Sequence, residues 1–569
     1  MSTLRDKSVQ YLASHVEEIL GKQNDAGEFW PDAGFRAQFN TDYQQFAFYP
    51  LAWLYTLDHP GNPWKGNPRL HAAVVRSFKN NLAIEKEDGS FVATSHDAGP
   101  HAYPNNWRSF AWLRAWELMR EHLDRDLDAR CEQGLRRALV GLESHARQQA
   151  AEDSYCKGHN VRNHPIWYML ATFALARAFQ QDLPAAWAAE QLERICAAQH
   201  PAGLWYEHDG PVAVYQHVSM NGLAHYHALT GSPAALHALD RALEFYRVFT
   251  YPSGCPIETL DGRVRYTGYV LSIPPAAWSR SAAGRSYLHF ILDRLLDQPL
   301  GPGHQTHGGW LGLPFFTQFA RDLPESESGD AAGHPALSGD GVHQVPQLPV
   351  RVIRRGPWIV TLSAFTRPEA PKNRWLLDYQ AHLSVYHETS GLIIGGGGGK
   401  RQAALSLFSG GSLPLGLPCL ALEGAAETIG GASARIVLKY PDFTATLDAA
   451  VESDAVAITA CATASKQDAA PLFLQLPSPM KGAAPIVTAA GARPEMDLQD
   501  ELLPEEIGAW IGREGQFKIS GVDGARAFLH LLPFNTHWRD GRAPAEKAMS
   551  VVALPLTSGT PRNVRITRS

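Results

Sequence analysis

The hydrophobic pattern of this chain changes its period near the middle, and that change limits the possible folds more than any other feature. Before about residue 320, apolar side chains recur at helical spacing, as at Trp112, Trp116 and Met119. In the second half they alternate with other residues at a period of two, for example over 443–451. The pattern therefore predicts a helical part followed by a part made of half-buried strands.

A polar stretch rich in Gly, Ser and Pro separates the two patterns. We predict an α/α domain over 1–321, a linker over 322–347 and an antiparallel β-sandwich over 348–569. The 569 residues are enough for two large hydrophobic cores.

Similar turns, most with a Gly followed closely by an aromatic residue, recur between about ten predicted helices. They lie at 24–30, 87–91, 200–205 and 251–256. Their recurrence after pairs of helices indicates a repeated αα-hairpin. We therefore predict an incomplete α/α toroid, with inner helices that are apolar on nearly every face, as in 166–179.

Composition and charge exclude several classes of function. Lys and Arg total 51 against 57 Asp and Glu, so no overall positive field attracts nucleic acid or an anionic membrane. No run of 18 apolar residues is long enough to span a membrane. The six Cys lack CxxC spacing, which favours buried thiols in a reducing compartment over disulfides or a zinc site. The polar start at Met1 has no signal core, so we expect a cytoplasmic protein; a chain trimmed of its signal would be periplasmic or secreted.

The segment 157–168 is the first that suggests chemistry. Pro165 suits the first position of a helix, because the N–H that it lacks would be unpaired there anyway. Asn163 and His164 would then lie at a helix N-terminus, where free N–H groups and the helix dipole favour an anion. The alternative is that one of these two side chains only caps the helix.

The segment 203–219 is the second, one predicted hairpin later. Tyr215 is followed closely by His217 and Ser219, which is an unusual density of polar and titratable groups for one helix start. The alternative is that Tyr215 is an aromatic residue of the core whose hydroxyl is hydrogen-bonded within the protein.

Together the two segments resemble the α/α-toroid polysaccharide lyases, notably the alginate lyases and the heparinase II/III-like group. In those families an Asn-His pair opens an inner helix and a catalytic Tyr follows about one hairpin later. Asn163-His164 is similar to that pair, and Tyr215 follows His164 by 51 residues. One position departs, because the alginate lyases carry an Arg about two helical turns before the Tyr, where this chain has His208.

The resemblance implies an acidic, uronic-acid-containing polysaccharide or oligosaccharide as substrate, cleaved by β-elimination without a metal or a cofactor. Asn163 and His164 would neutralise the uronate carboxylate, which makes the C5 proton removable. Tyr215 would act as both base and acid, or His164 as base and Tyr215 as acid.

Further substrate contacts are expected around the mouth of the toroid. The candidates are His208, His217, His96, His101, Asn106, Trp107, Arg108 and, from the strand-rich half, His382. Trp107 offers a ring face for a sugar, although capping by Asn105 or Asn106 and packing of Trp107 in the core explain that segment equally well. His382 is included because heparinase II/III-like enzymes bring a His from the β-domain to the cleft; a lone strand His is more often structural.

Two other functions remain open. A glycoside hydrolase on the same scaffold needs two carboxylates facing across a cleft, for which Asp97, Glu207 and Asp209 are candidates. A non-catalytic carbohydrate-binding protein would use some of the 15 Trp residues for stacking.

Overall fold

The computed structural model describes residues 3–29, 44–95, 99–207, 210–260, 273–297, 312–326, 334–366, 381–395, 406–411, 421–465, 471–479, 484–492, 501–530 and 549–569. The chain forms two compact units. The first comprises 1–210, 215–244 and 270–336, and the second comprises 211–214, 245–269 and 337–569. The boundaries predicted for the two domains and the linker stay a prediction.

Up to residue 326, the described residues contain twelve α-helices. They are α1 (Leu4–Ser14), α2 (Val16–Gly21), α3 (Phe48–Thr56), α4 (Pro68–Ile84), α5 (Asn106–Met119), α6 (Arg125–Ala150), α7 (Asn163–Ala178), α8 (Asp182–Ala197), α9 (Ala213–Thr230), α10 (Pro233–Val248), α11 (Ala282–Leu295) and α12 (Leu313–Asp322). A two-stranded hairpin, β1 (Phe91–Ser95) and β2 (Gly99–Tyr103), lies between α4 and α5.

The helices alternate between two kinds of surface. In α7 every residue from Pro165 to Ala176 is buried, as expected of an inner helix. In α6 the buried residues form one stripe that includes Leu127, Cys131 and Leu135, which is the pattern of an outer helix that packs on one side only. The predicted fold class, helical hairpins followed by antiparallel β-structure, is confirmed.

Three turns of the first unit share one set of hydrogen bonds. In 24–28, 86–90 and 200–204, the N–H of the first residue donates to the carbonyl of the fifth. The fourth residue is a Gly with positive φ, and its N–H donates to the carbonyl of the first residue. Each turn follows an outer helix, so the repeat seen in the sequence is a repeat in the backbone.

Each of these glycines lies against the backbone of a later outer helix. A Cβ added at Gly203 would lie 2.3 Å from the carbonyl oxygen of Arg241 in α10, a distance that real Cβ atoms do not reach. The same contact recurs for Gly27 at Arg76 in α4, and for Gly89 at Arg137 in α6.

We expect Gly203→Ala to lower the free energy of unfolding by about 2–4 kcal/mol, since it combines a strained positive φ with a backbone clash. Gly231→Ala is the matched control, because Gly231 also has positive φ but no atom within 4 Å of the added Cβ. It should lose only about 1 kcal/mol. Urea unfolding of both variants measures the difference, and equal losses would show that the close approach contributes nothing.

Glu85, immediately after α4, has a fully buried side chain that accepts a hydrogen bond from Arg137 at 2.5 Å. Burial raises the pKa of Glu85 to about 7, although Arg137 opposes the shift. A raised pKa means that the folded chain holds the proton more tightly than the unfolded chain. Stability therefore falls as pH rises from about 4.5 to 7, by up to about 3 kcal/mol.

Glu85→Gln should remove that loss. In urea unfolding the variant should match the wild type near pH 5 and exceed it near pH 8. Glu132→Gln is the control, because Glu132 pairs with Arg136 on the exposed surface of α6 and should leave the pH profile unchanged. A wild-type profile that is flat over this range would contradict the raised pKa.

The second unit contains antiparallel sheets. Its strands are β3 (Gly341–Gln344), β4 (Val350–Arg355), β5 (Trp358–Ala364), β6 (Ala381–His387), β7 (Gly391–Ile394), β8 (Phe408–Gly410), β9 (Glu423–Gly430), β10 (Ser433–Lys439), β11 (Phe443–Val451), β12 (Ala455–Ala464), β13 (Leu472–Pro479), β14 (Ile486–Thr488), β15 (Glu501–Leu502), β16 (Trp510–Arg513), β17 (Phe517–Ser520), β18 (Arg526–His530), β19 (Met549–Leu556) and β20 (Arg562–Arg568), with a short helix α13 (Pro504–Ile507).

The strands form one eight-stranded and two five-stranded sheets. The orders are β14-β16-β17-β20-β12-β11-β10-β9, β15-β18-β19-β13-β8 and β3-β4-β5-β6-β7. Alternate residues of β11, from Phe443 to Val451, are buried and contribute to one large apolar core. β3 lies within the stretch predicted as a linker and pairs with β4. Among the described residues, no helix is long and apolar enough to cross a membrane.

Candidate active site

Helices α5 and α7 lie side by side and run in the same direction. At their first residues, the Asn106 side-chain amide donates to the His164 carbonyl at 3.3 Å. One turn further along both helices, the rings of Phe110 and Trp167 contact each other with centroids 5.5 Å apart. Residues that come later in α5 contact residues that come later in α7, so the two helices are parallel and start at the same end of the unit.

Helices α7 and α9 are also parallel neighbours. The Trp167 indole N–H donates to the Val218 carbonyl at 2.7 Å, and further along, the rings of Phe173 and Tyr226 have centroids 5.3 Å apart. His164 lies three residues before Trp167, and Tyr215 lies three residues before Val218. The first turn of α9, which contains Tyr215, therefore lies at the same end as the first turn of α7, which contains His164. The side chain of Tyr215 lies outside the described residues.

Helices α5, α7 and α9 thus begin at the same end. Each N-terminus has backbone N–H groups without helical partners and the positive end of a helix dipole. Together they favour an anion at this end, such as a carboxylate.

Asn163 is the first residue of α7, one position after the N-cap residue Arg162, whose side chain makes no capping hydrogen bond. Its side chain is buried, with 5% of its surface exposed, and within the described part of the chain its amide has no hydrogen-bond partner. Buried amides are normally paired, so this one is available to a ligand. The expectation that Pro165 is the first residue of the helix was wrong, because the helix begins two residues earlier, at Asn163. Pro165 still lies in the first turn, where a backbone N–H would have no helical acceptor, so the N–H that proline lacks is not missed.

His164 is exposed, unlike the residues that follow it in α7. Its ring packs on the ring of Trp107 with centroids 4.8 Å apart, and the Trp107 ring is itself buried. The exposed imidazole is therefore supported on one side by a fixed aromatic ring. It can exchange a proton with a bound molecule.

Arg108 does not join this group. Its guanidinium is buried, donates to the Asn81 side-chain oxygen at 2.6 Å and lies over the rings of Phe46 and Phe91. It therefore faces α4 rather than His164. The cap of α5 is Asn105, whose side-chain oxygen accepts from the Arg108 N–H at 3.0 Å.

The remaining predicted contacts are distributed more widely. His217 is buried in α9, two residues after Tyr215, and His382 is buried in β6 of the second unit, opposite Ser363 in the register with β5. His101 lies in β2, but its side chain is outside the described residues. His96 and His208 lie outside the described residues. Of the carboxylates considered for a glycoside hydrolase, Asp97 and Asp209 also lie outside the described residues, and Glu207 is buried.

Sequence reasoning missed two aromatic residues close to this site, His159 and Tyr206. The Tyr206 N–H donates to the His159 carbonyl at 2.8 Å, and the Val161 N–H donates to the Tyr206 carbonyl at 2.7 Å. These bonds join the segments that lead into α7 and α9.

No protein-family model matches the chain, and no curated protein matches it. Similar solved structures include a heparinase III, with a TM-score of 0.47 and 11% identity over 95% of this chain and 79% of that chain. Another is a GH127 β-L-arabinofuranosidase from Geobacillus stearothermophilus T6, with a TM-score of 0.34 and 10% identity over 98% and 93%. A 4-α-glucanotransferase from Thermococcus litoralis has a TM-score of 0.30 and 9% identity over 52% and 51%.

Proposed function

We propose that this chain is a lyase that cleaves a uronic-acid-containing polysaccharide or oligosaccharide by β-elimination. The observation that carries the proposal is the side-chain amide of Asn163, in the first turn of α7, which has no hydrogen-bond partner among the described residues and is followed directly by the exposed His164. That end of the unit favours a carboxylate, and a uronate carries one next to the carbon that loses its proton.

The chemistry follows from these positions. The Asn163 amide and the positive end of the α7 dipole hold the carboxylate and stabilise the negative charge that it gains as the C5 proton leaves. A base, His164 or Tyr215, takes that proton. The C–H electron pair forms the C4–C5 double bond, the bond from C4 to the glycosidic oxygen breaks, and Tyr215 gives a proton to the leaving oxygen. This sequence of steps balances without a metal or a cofactor.

The test is a screen of alginate, glucuronan, heparinoids, chondroitin, hyaluronan and their oligosaccharides. Ultraviolet absorbance detects the conjugated double bond, and a reducing-end assay counts all cleaved bonds. We expect one double bond for each new reducing end on one of these substrates. New reducing ends without absorbance would overturn the proposal in favour of a glycoside hydrolase, and binding without any cleavage would indicate a carbohydrate-binding protein.

A further inference from the structure

The repeated turn of the first unit is altered at one place. After α6, the Cys156 N–H donates to the Asn160 carbonyl at 3.0 Å, which is the bond that closes each of the three regular turns. The second bond of the regular turns is not seen in 156–160, and the fourth position, which is Gly in those turns, is here His159, with φ of +70°; Cys156 and Gly158 also have positive φ. Glycine adopts this conformation freely, whereas other residues are strained in it. The altered turn leads directly into Asn163 and His164.

The His159 ring has one bonded nitrogen. Its Nδ1 lies 3.0 Å from the Ala198 carbonyl oxygen, and because a carbonyl only accepts, Nδ1 is the protonated nitrogen. In the neutral ring, Nε2 is then an acceptor, and it has no hydrogen-bond partner in the described parts of the chain. Since His159 is only half-buried, Nε2 is available to a hydroxyl group of a ligand.

An aromatic cluster surrounds His159. Its ring meets the rings of His200 and Tyr206 edge-on, with centroids 4.8 and 5.8 Å apart, and the rings of His200 and Tyr206 stack at 5.2 Å. His200 is buried, and burial lowers its pKa to about 4, so the stack is uncharged at neutral pH. Tyr206 is half-buried and belongs to the outer part of the cluster. Partly exposed aromatic rings of this kind suit the apolar C–H groups of a sugar ring.

A positive charge lies next to this cluster. Lys157 is exposed, two residues before His159, and makes no ion pair with any residue that the structure describes. The bridge that pairs Asn160 with Tyr206 lies before the first turns of α7 and α9, so the cluster is at the end where these helices begin.

We propose that Lys157, His159 and Tyr206 form a subsite for an outer uronate ring of the substrate, beyond the two rings joined by the bond that is cleaved. Tyr206 packs against the ring, Nε2 of His159 accepts a hydrogen bond from a ring hydroxyl, and Lys157 pairs with the carboxylate. This inference rests on the proposed function, because it extends the same site to a longer substrate.

The test compares uronate tetrasaccharides with disaccharides, prepared from alginate, glucuronan and heparin. Binding is measured by calorimetry to the chain carrying Tyr215→Phe, so that no turnover occurs. His159→Gly is the decisive added change, because it restores the residue of the regular turns and removes only the side chain. We expect it to weaken tetrasaccharide binding about 10-fold, leave disaccharide binding unchanged and keep the melting temperature close to that of the parent, because relief of the positive φ offsets the lost hydrogen bond to the Ala198 carbonyl.

Two further variants support the comparison. Tyr206→Leu should weaken tetrasaccharide binding in the same way, and Lys157→Glu, an exposed change that does not threaten folding, should weaken it most at low salt. Unchanged tetrasaccharide affinity in His159→Gly would overturn the subsite and leave His159 as a structural residue. If the affinity is unchanged but the wild-type chain forms the ultraviolet-absorbing product, only the subsite is refuted and the proposed function stands. A chain that neither binds these oligosaccharides nor forms that product removes the proposed function as well.

Discussion

Tyr215→Phe should lower kcat for β-elimination by about 1,000-fold, with little change in the affinity for the substrate. The phenol is expected to give a proton to the leaving oxygen, and a phenyl ring of the same shape has no proton to give. Tyr215 lies in the first turn of α9, at the same end as the first turn of α7 with His164. The measurement is the initial rate of ultraviolet absorbance on the best substrate of the screen.

The control for this variant is Tyr226→Phe on the same helix. Tyr226 lies three turns beyond Tyr215, and its hydroxyl donates to Glu193 at 3.1 Å. Its loss should cost about 1 kcal/mol of stability and leave kcat unchanged. If the Tyr215 variant keeps more than about a tenth of the wild-type kcat, this tyrosine is not the acid of the reaction.

Asn163→Ala should lower kcat/KM by about 100- to 1,000-fold without lowering the free energy of unfolding. The amide is buried and has no partner among the described residues, so its removal breaks no hydrogen bond that is seen in the fold. Alanine also has the higher helix propensity, and the variant should be as stable as the wild type or slightly more so. Activity and stability would thus change in different directions, as is common for residues kept for function.

Asn105→Ala is the matched comparison, one inner helix away. Asn105 caps α5 by accepting from the Arg108 N–H, so its removal should cost about 1 kcal/mol of stability. Urea unfolding and steady-state kinetics on both variants separate the two roles. An Asn163→Ala chain that loses stability as the Asn105 variant does, while keeping its kcat/KM, would make Asn163 a structural residue.

Elements with an uninterrupted hydrophobic period could be predicted from the sequence, and those whose period is broken by Gly or Pro could not. Strand β11 was predicted over 443–451, as observed, because its apolar residues alternate without interruption. The hairpin of β1 and β2 was missed, since Gly99 and Pro100 interrupt any alternation in its second strand. The helix α12 was also missed, because a Gly-rich stretch precedes it and it has only ten residues.

The candidate site could be located from the sequence more easily than it could be oriented. The Asn-His-Pro sequence indicates a helix start with Asn163 in the first turn, because proline and free N–H groups both belong there. The direction in which Arg108 points depends on Asn81 and two aromatic rings from other segments, and no local pattern contains that information. Likewise, only the contacts between helices show that α5, α7 and α9 begin at one end.

The glycine turns have a consequence for how the chain is made. Each turn finds its backbone partner only roughly 40–50 residues later, at Arg76, Arg137 or Arg241. A ribosome that adds about 5–20 residues per second supplies that partner within about 2–10 seconds. During synthesis, the helical unit can therefore mature from its N-terminus one hairpin at a time, and its apolar helix faces are exposed to other nascent chains only briefly.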